Sequence, residues 1–72
     1  MEIVGSRVYV ENIGIGVAVS KEVKVDVNGK KDTGRYLVKF DNILKFPCCI
    51  VDMHNKHGGL YIHLFEMVVE GK

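Results

Sequence analysis

The residues of this sequence whose side chains could bind a metal ion are clustered in its second half. They are Cys48, Cys49, His54 and His57. Thiolate and imidazole groups are the ligands that zinc takes most often in proteins. The spacing opposes a zinc site, because neighbouring residues of an extended strand point to opposite faces and two adjacent cysteines then cannot reach one ion. The sequence therefore predicts no metal site, and it predicts cysteines that pack as small apolar side chains.

The same cysteines could act as nucleophiles with His54, His57 or His63 as the base. Nothing in their spacing adds an orienting group or an oxyanion site to such a pair. A chain of 72 residues also offers little room for a pocket that excludes water. The Gly14-Ile15-Gly16 and Gly58-Gly59 segments precede no Gly-Lys-Ser/Thr element. They therefore indicate turns and not phosphate loops. We expect no enzyme activity and no cofactor.

Length and composition predict a single domain, residues 1–72, with apolar surface left over. The chain is 47% hydrophobic with a mean hydropathy of +0.10. A domain of this size buries only about 60% of the surface of its unfolded chain, so part of this apolar content should face a protein partner or a second copy. Its 10 Lys+Arg residues nearly cancel its 9 Asp+Glu residues, which gives no strong overall field for nucleic acid.

The sequence also bears on the compartment. It shows neither a signal-peptide pattern at its start nor an apolar run of the roughly 18 residues that a membrane span requires. Adjacent cysteines rarely meet the geometry of a disulfide. We therefore expect a cytoplasmic protein with reduced thiols and no membrane partner.

Period-two alternation, and not helical spacing, dominates the chain and predicts strands. The first strand is 7–10, with Val8 and Val10 inward. The second begins at Val17, places the odd-numbered valines through Val27 inward, and bends at Lys21. The chain thus begins with a short strand followed by a long, bent one.

The third strand, 35–40, places Tyr36, Val38 and Phe40 inward. A register that sets Val23 opposite Val38 also pairs Glu22 with Lys39 and Asp26 with Arg35, and such opposite charges favour pairing. This register leaves 28–33 as the hairpin loop. The remaining segments are predicted as a loop carrying an apolar plug at 43–47, a short buried strand at 48–53, a turn at 54–59, a strand at 60–63, a 3₁₀ turn at 64–66 and a closing strand at 67–70.

Two segments carry a family resemblance: the run from Tyr36 to Asp41 after the long bent strand, and the strand, helical turn and last strand between Leu60 and Val69. The pattern resembles the Src-homology-3-like, or Tudor-type, small barrels of short bacterial and phage proteins, in which a one-turn 3₁₀ helix commonly precedes the final strand. The resemblance covers nearly the whole chain. Between Asp41 and Met53 the sequence departs from the family pattern. The resemblance implies an all-β fold, a single five-stranded barrel with a 3₁₀ turn before the last strand. Another small barrel or an open meander sheet is the rival fold.

Such barrels bind peptides, methylated side chains, RNA, DNA or proteins, so the family alone does not fix a function. The aromatic residues predicted to face outward suit a binding surface, because their rings are rigid and apolar with polar tips. The predicted partner-binding residues are Tyr9, Tyr61, His63 and Phe65, with Phe46 nearby. We therefore expect a non-catalytic protein-binding module, such as a small phage-type protein that docks on a host protein or associates with itself.

The alternative is a Tudor-type module associated with nucleic acid. The lysines of the hairpin would contact phosphates, and the residues for this reading are Lys30, Lys31, Arg35 and Lys39, with Lys21 and Lys24 on the preceding strand. Acidic neighbours, namely Glu22, Asp26 and Asp32, neutralise much of this patch. A third reading, a structural subunit of a larger particle, differs from the first only in its partner.

Overall fold

The computed structural model describes residues 3–71, which form one antiparallel sheet and one α-helix. The elements are β1 (Arg7–Val10), β2 (Gly14–Asp26), β3 (Gly29–Phe40), α1 (Cys48–His57), β4 (Leu60–His63), a 3₁₀ turn (Leu64–Glu66) and β5 (Met67–Gly71). The five strands are arranged in the order β4-β3-β2-β1-β5. Five strands and the 3₁₀ turn before the last strand are confirmed, whereas the predicted all-β class holds only as a mostly-β fold, because Cys48–His57 is a helix. The sheet is not closed, since no pairing joins β4 to β5 within residues 3–71.

The inner face of the sheet carries the hydrophobic core. Its buried side chains are Ile3, Val8, Val10, Ala18, Tyr36, Val38, Phe40, Ile43, Ile62 and Met67. The predicted inward residues of β1 and β3 are all among them. Ile43 and the partly buried Phe46 pack against the core from the loop after β3, as the predicted apolar plug requires. No helix within residues 3–71 has the length and apolar character needed to cross a bilayer.

The predicted inward face of β2 is wrong. Its buried positions are Gly16 and Ala18, while Val25 and Val27 are 74% and 99% exposed. β4 pairs with β3 only as far as Arg35, and β1 pairs with β2 only from Gly14 to Val17. The outer half of the hairpin is therefore a two-stranded ribbon, and within residues 3–71 no third strand covers its valines.

The predicted hairpin register is also wrong. Val23 lies opposite Asp32, and Asp26 lies opposite Gly29, with irregularities between 18 and 20 and between 21 and 23. The turn is therefore residues 27–28 instead of a loop over 28–33. Gly29 adopts a φ of 108°, which only glycine adopts easily, and the Asp26 carboxylate accepts a hydrogen bond from the backbone N–H of Asn28. This local turn chemistry decides the register over the charge pairs that the sequence suggested.

The segment predicted as a buried strand at 48–53 and a turn at 54–59 is instead the helix α1. Pro47 stands at its N-cap, and Gly58, with a φ of 76°, ends it. Cys48 and Cys49 are free and exposed, so their predicted packing role is wrong. His54 docks the helix, because its buried ring accepts a hydrogen bond at Nε2 from the backbone N–H of Phe40 at 3.0 Å.

Candidate functional site

One groove of about 650 Å³ lies where the turn after β1 meets the 3₁₀ turn and β5. We call it the aromatic groove. Its lining residues are Tyr9, Val10, Glu11, Asn12, Ile13, Ile62, Phe65, Glu66, Met67 and Val68. Val10, Ile62 and Met67 belong to the core, so the floor of the groove is the end of the hydrophobic core. Two of the predicted partner-binding residues, Tyr9 and Phe65, therefore line one site.

Phe65 is the most exposed of the aromatic side chains, at 91%. Its ring stacks on the ring of His63, with centroids 4.8 Å apart and an interplanar angle of 27°. Nδ1 of His63 also accepts a hydrogen bond from the backbone N–H of Phe65 at 3.2 Å. An accepting Nδ1 places the proton of the neutral ring on Nε2. The predicted His63 is thus joined to the groove through Phe65.

Tyr61 is not brought to the groove. It lies on β4 opposite Leu37 of β3, and both β3 and β2 separate it from β1. Phe46 is partly buried against the core, and the ammonium group of Lys45 lies 5.6 Å from its ring centroid. The structure therefore brings together three of the four predicted aromatic-site residues and leaves Tyr61 elsewhere on the sheet.

Two residues that the sequence did not single out extend the apolar surface beside Tyr9. Ile15 lies opposite Tyr9 on one side, and Val68 lies opposite it on the other. Directly opposed side chains point to the same face of a sheet, so the three form one row across β2, β1 and β5. All three are exposed. Their alignment depends on the register, which the sequence alone does not give.

The groups of the aromatic groove that carry charge at neutral pH are acidic. Glu11 and Glu66 line it, and among residues 3–71 no lysine, arginine or histidine does so. Both carboxylates are exposed. Because opposite charges steer association, this groove favours a ligand that combines apolar and cationic groups.

The predicted basic set is divided. Lys30 lies opposite Val25 and Lys39 lies opposite Val17, whereas Lys31 and Arg35 line a second groove. The members of this hairpin groove are Lys24, Lys31, Asp32, Thr33, Arg35 and His63. Lys24 is therefore a member of the basic site, while Lys30 and Lys39 lie outside this groove.

Two carboxylates of the hairpin, Glu22 and Asp32, are held in the charged form. The hydrogen bond from the Thr33 hydroxyl is the main cause that lowers the pKa of Glu22, and the Arg35 guanidinium lowers it further. Hydrogen bonds from Lys21 and from the backbone N–H of Gly34 lower the pKa of Asp32. Both acids therefore already have cationic or N–H partners within the protein.

Within the described part of the chain, no group of three or more His, Cys, Asp or Glu residues is placed to hold a metal ion. Comparison of the chain with protein-family models, with curated proteins and with solved structures found no match.

Proposed function

We propose that the protein is a non-catalytic protein-binding module whose aromatic groove takes a short apolar peptide segment carrying a lysine or an arginine. The observation that carries this proposal is the Phe65 ring, which is 91% exposed at the rim of the groove. Full burial of a phenylalanine side chain is worth about 1.5–3 kcal/mol. A partner that covers Phe65 gains this free energy, and Glu11 and Glu66 select a cationic group beside it.

The backbone of β5 supports an extended peptide. β5 is an edge strand that pairs only with β1 within residues 3–71. Its sequence, Met67-Val68-Val69-Glu70-Gly71, contains no lysine or proline, although natural edge strands often carry these residues to prevent pairing. An added strand would gain main-chain hydrogen bonds there and place alternate side chains toward the groove.

The same proposal includes the family to which the fold belongs. The 3₁₀ turn directly before β5 and the position of β1 between β2 and β5 support a Src-homology-3-like or Tudor-type barrel. A small phage-type protein that docks on a host protein, or that associates with itself, agrees with such a module. A cytoplasmic location stays a prediction.

Selection of a phage-displayed random peptide library on the purified protein tests the proposal. We expect enrichment of apolar peptides with a lysine or arginine. Phe65→Ala should weaken the binding of the enriched peptides about 10-fold or more. Leu44→Ala is the matched control, because Leu44 is also exposed and apolar but does not line the groove. Equal losses for both variants, or enrichment of acidic peptides, would refute the proposal. Sedimentation equilibrium of the free protein shows whether the occupant is instead a second copy.

A further inference from the structure

The hairpin groove contains two lysines that face each other. Lys24 of β2 lies directly opposite Lys31 of β3. Such positions place Cβ atoms about 4.5–5.5 Å apart, and like charges there destabilise the pairing. A dianionic or anionic group placed between the two ammonium groups would remove this repulsion.

In the part of the chain that the structure describes, the carboxylates nearby do not bridge the two lysines. Oε1 of Glu22 accepts hydrogen bonds from the Thr33 hydroxyl and from Nε of Arg35, each at 2.8 Å. The carboxylate of Asp32 binds Lys21 and accepts the backbone N–H of Gly34 at 2.9 Å. The charge of Lys24 acts on Glu22 only through space. The lysine pair is therefore the part of the groove that retains capacity for an external anion.

An aromatic surface adjoins the lysine pair. His63 lines the hairpin groove, and a Cβ atom added to Gly34 would lie only 2.8 Å from its Nε2. The absence of a side chain at Gly34 therefore leaves this nitrogen room beside the hairpin. The Phe65 ring stacks on His63. His63 covers one face of this ring, and the Phe65 side chain is otherwise exposed.

We propose that this site binds a single strand of nucleic acid, with one phosphate between Lys24 and Lys31 and a base of the same strand on the open face of Phe65. Lysine binds phosphate as a point charge, and bases stack on exposed aromatic rings without sequence preference. Because Phe65 also lines the aromatic groove, a bound nucleic acid and a bound peptide would compete for this ring, while the lysine pair acts on the nucleic acid alone.

Fluorescence anisotropy of a labelled ten-nucleotide oligouridylate, at low and at physiological salt, tests the proposal. We expect the protein to bind this oligonucleotide. The double variant Lys24→Gln with Lys31→Gln should weaken the binding about 10-fold or more. The salt-dependence slope should fall by about 0.7 for each phosphate that the double variant no longer neutralises. The matched control is Lys30→Gln with Lys56→Gln, which removes the same charge outside the groove. Circular dichroism verifies that both double variants are folded.

The remaining arms identify the ligand and separate the two sites. Phe65→Leu should weaken oligonucleotide binding about 5- to 150-fold, which is the range expected for the loss of one base stack. Competition only by unlabelled oligonucleotide supports the single strand, whereas competition by adenosine monophosphate at similar affinity contradicts the two-point arrangement. Glu66→Gln should weaken peptide binding without weakening oligonucleotide binding, since it removes the carboxylate beside Phe65 and adds no cation for phosphate. Absence of binding at low salt, or equal losses in the two lysine double variants, overturns the proposal.

Discussion

The hydrogen bond between His54 and Phe40 should stabilise the attachment of α1 to the sheet. His54 is only 4% exposed, and its Nε2 accepts the backbone N–H of Phe40 at 3.0 Å. His54→Leu keeps an apolar side chain of similar size and removes the acceptor. A buried donor left without a partner costs about 1–3 kcal/mol. Because a domain of this length has a total stability of about 4–11 kcal/mol, this loss is a large fraction of it.

Urea denaturation followed by circular dichroism measures the effect. We expect a loss of about 2 kcal/mol, which corresponds to a fall in Tm of about 8–16 °C for a domain of this size. His54→Gln should recover part of the loss, since its carbonyl oxygen can accept the same hydrogen bond. His57→Leu is the matched control, because His57 is an exposed histidine of the same helix and should change stability by less than about 0.5 kcal/mol.

Two results would refute this reasoning. If His54→Leu and His57→Leu cost the same, the helix is not held by this hydrogen bond. If His54→Gln is no more stable than His54→Leu, the ring contributes by packing on Phe40, whose ring centroid lies 6.3 Å away, and not as an acceptor.

Three further predictions concern the hairpin and its approach to the core. Gly16→Ala should cost about 1–3 kcal/mol in urea denaturation, because the new Cβ would lie 2.6 Å from the Lys39 carbonyl oxygen. Glu22 and Asp32 have folded pKa values below their ordinary ones, so their contribution is present at neutral pH and is lost as pH falls through the folded values. The urea midpoint should therefore drop in acid, and Glu22→Gln should flatten this drop; an unchanged acid limb contradicts the assignment. Val25→Thr should change stability by less than about 0.5 kcal/mol, whereas a cost above about 1 kcal/mol would show that Val25 is packed in solution.

The parts of the fold that could be predicted are those where alternation reports burial. Val8 and Val10 in β1, and Val38 and Phe40 in β3, lie between paired strands and face the core. Alternation misleads in β2, where Val23 and Val25 belong to a two-stranded ribbon. There the pattern reflects the preference of valine for extended backbone without any burial, so it cannot tell the two faces apart.

The helix α1 was missed for a different reason. Its first residues, Cys48-Cys49-Ile50-Val51, form a short apolar run that is as typical of a buried strand as of a helix. The available signals were at the ends: Pro47 before the helix, His54, Lys56 and His57 in its last turn, and Gly58 after it. Basic residues near a helix C-terminus and a following glycine favour a helix end. These signals outweigh the strand propensity of the apolar run here because His54 docks on Phe40.

The candidate site was predictable by residue type and not by arrangement. Aromatic exposure identified Tyr9, His63 and Phe65, whereas the opposition of Lys24 and Lys31 depends on a register that the wrong loop prediction concealed. A register error changes which side chains face each other across the strands, so surface sites on hairpins are the features that a single sequence predicts least well.

The position of Phe65 depends on His63, and this links the two grooves. The His63 ring accepts the backbone N–H of Phe65 at the start of the 3₁₀ turn and also stacks on the Phe65 side chain. One residue therefore fixes both the backbone and the ring that separate an acidic groove, with Glu11 and Glu66, from a basic one, with Lys24 and Lys31. The nearly neutral net charge of the chain conceals these two local fields. Because each field selects ligands of opposite charge, the two proposed ligands would differ in charge while they share the Phe65 ring.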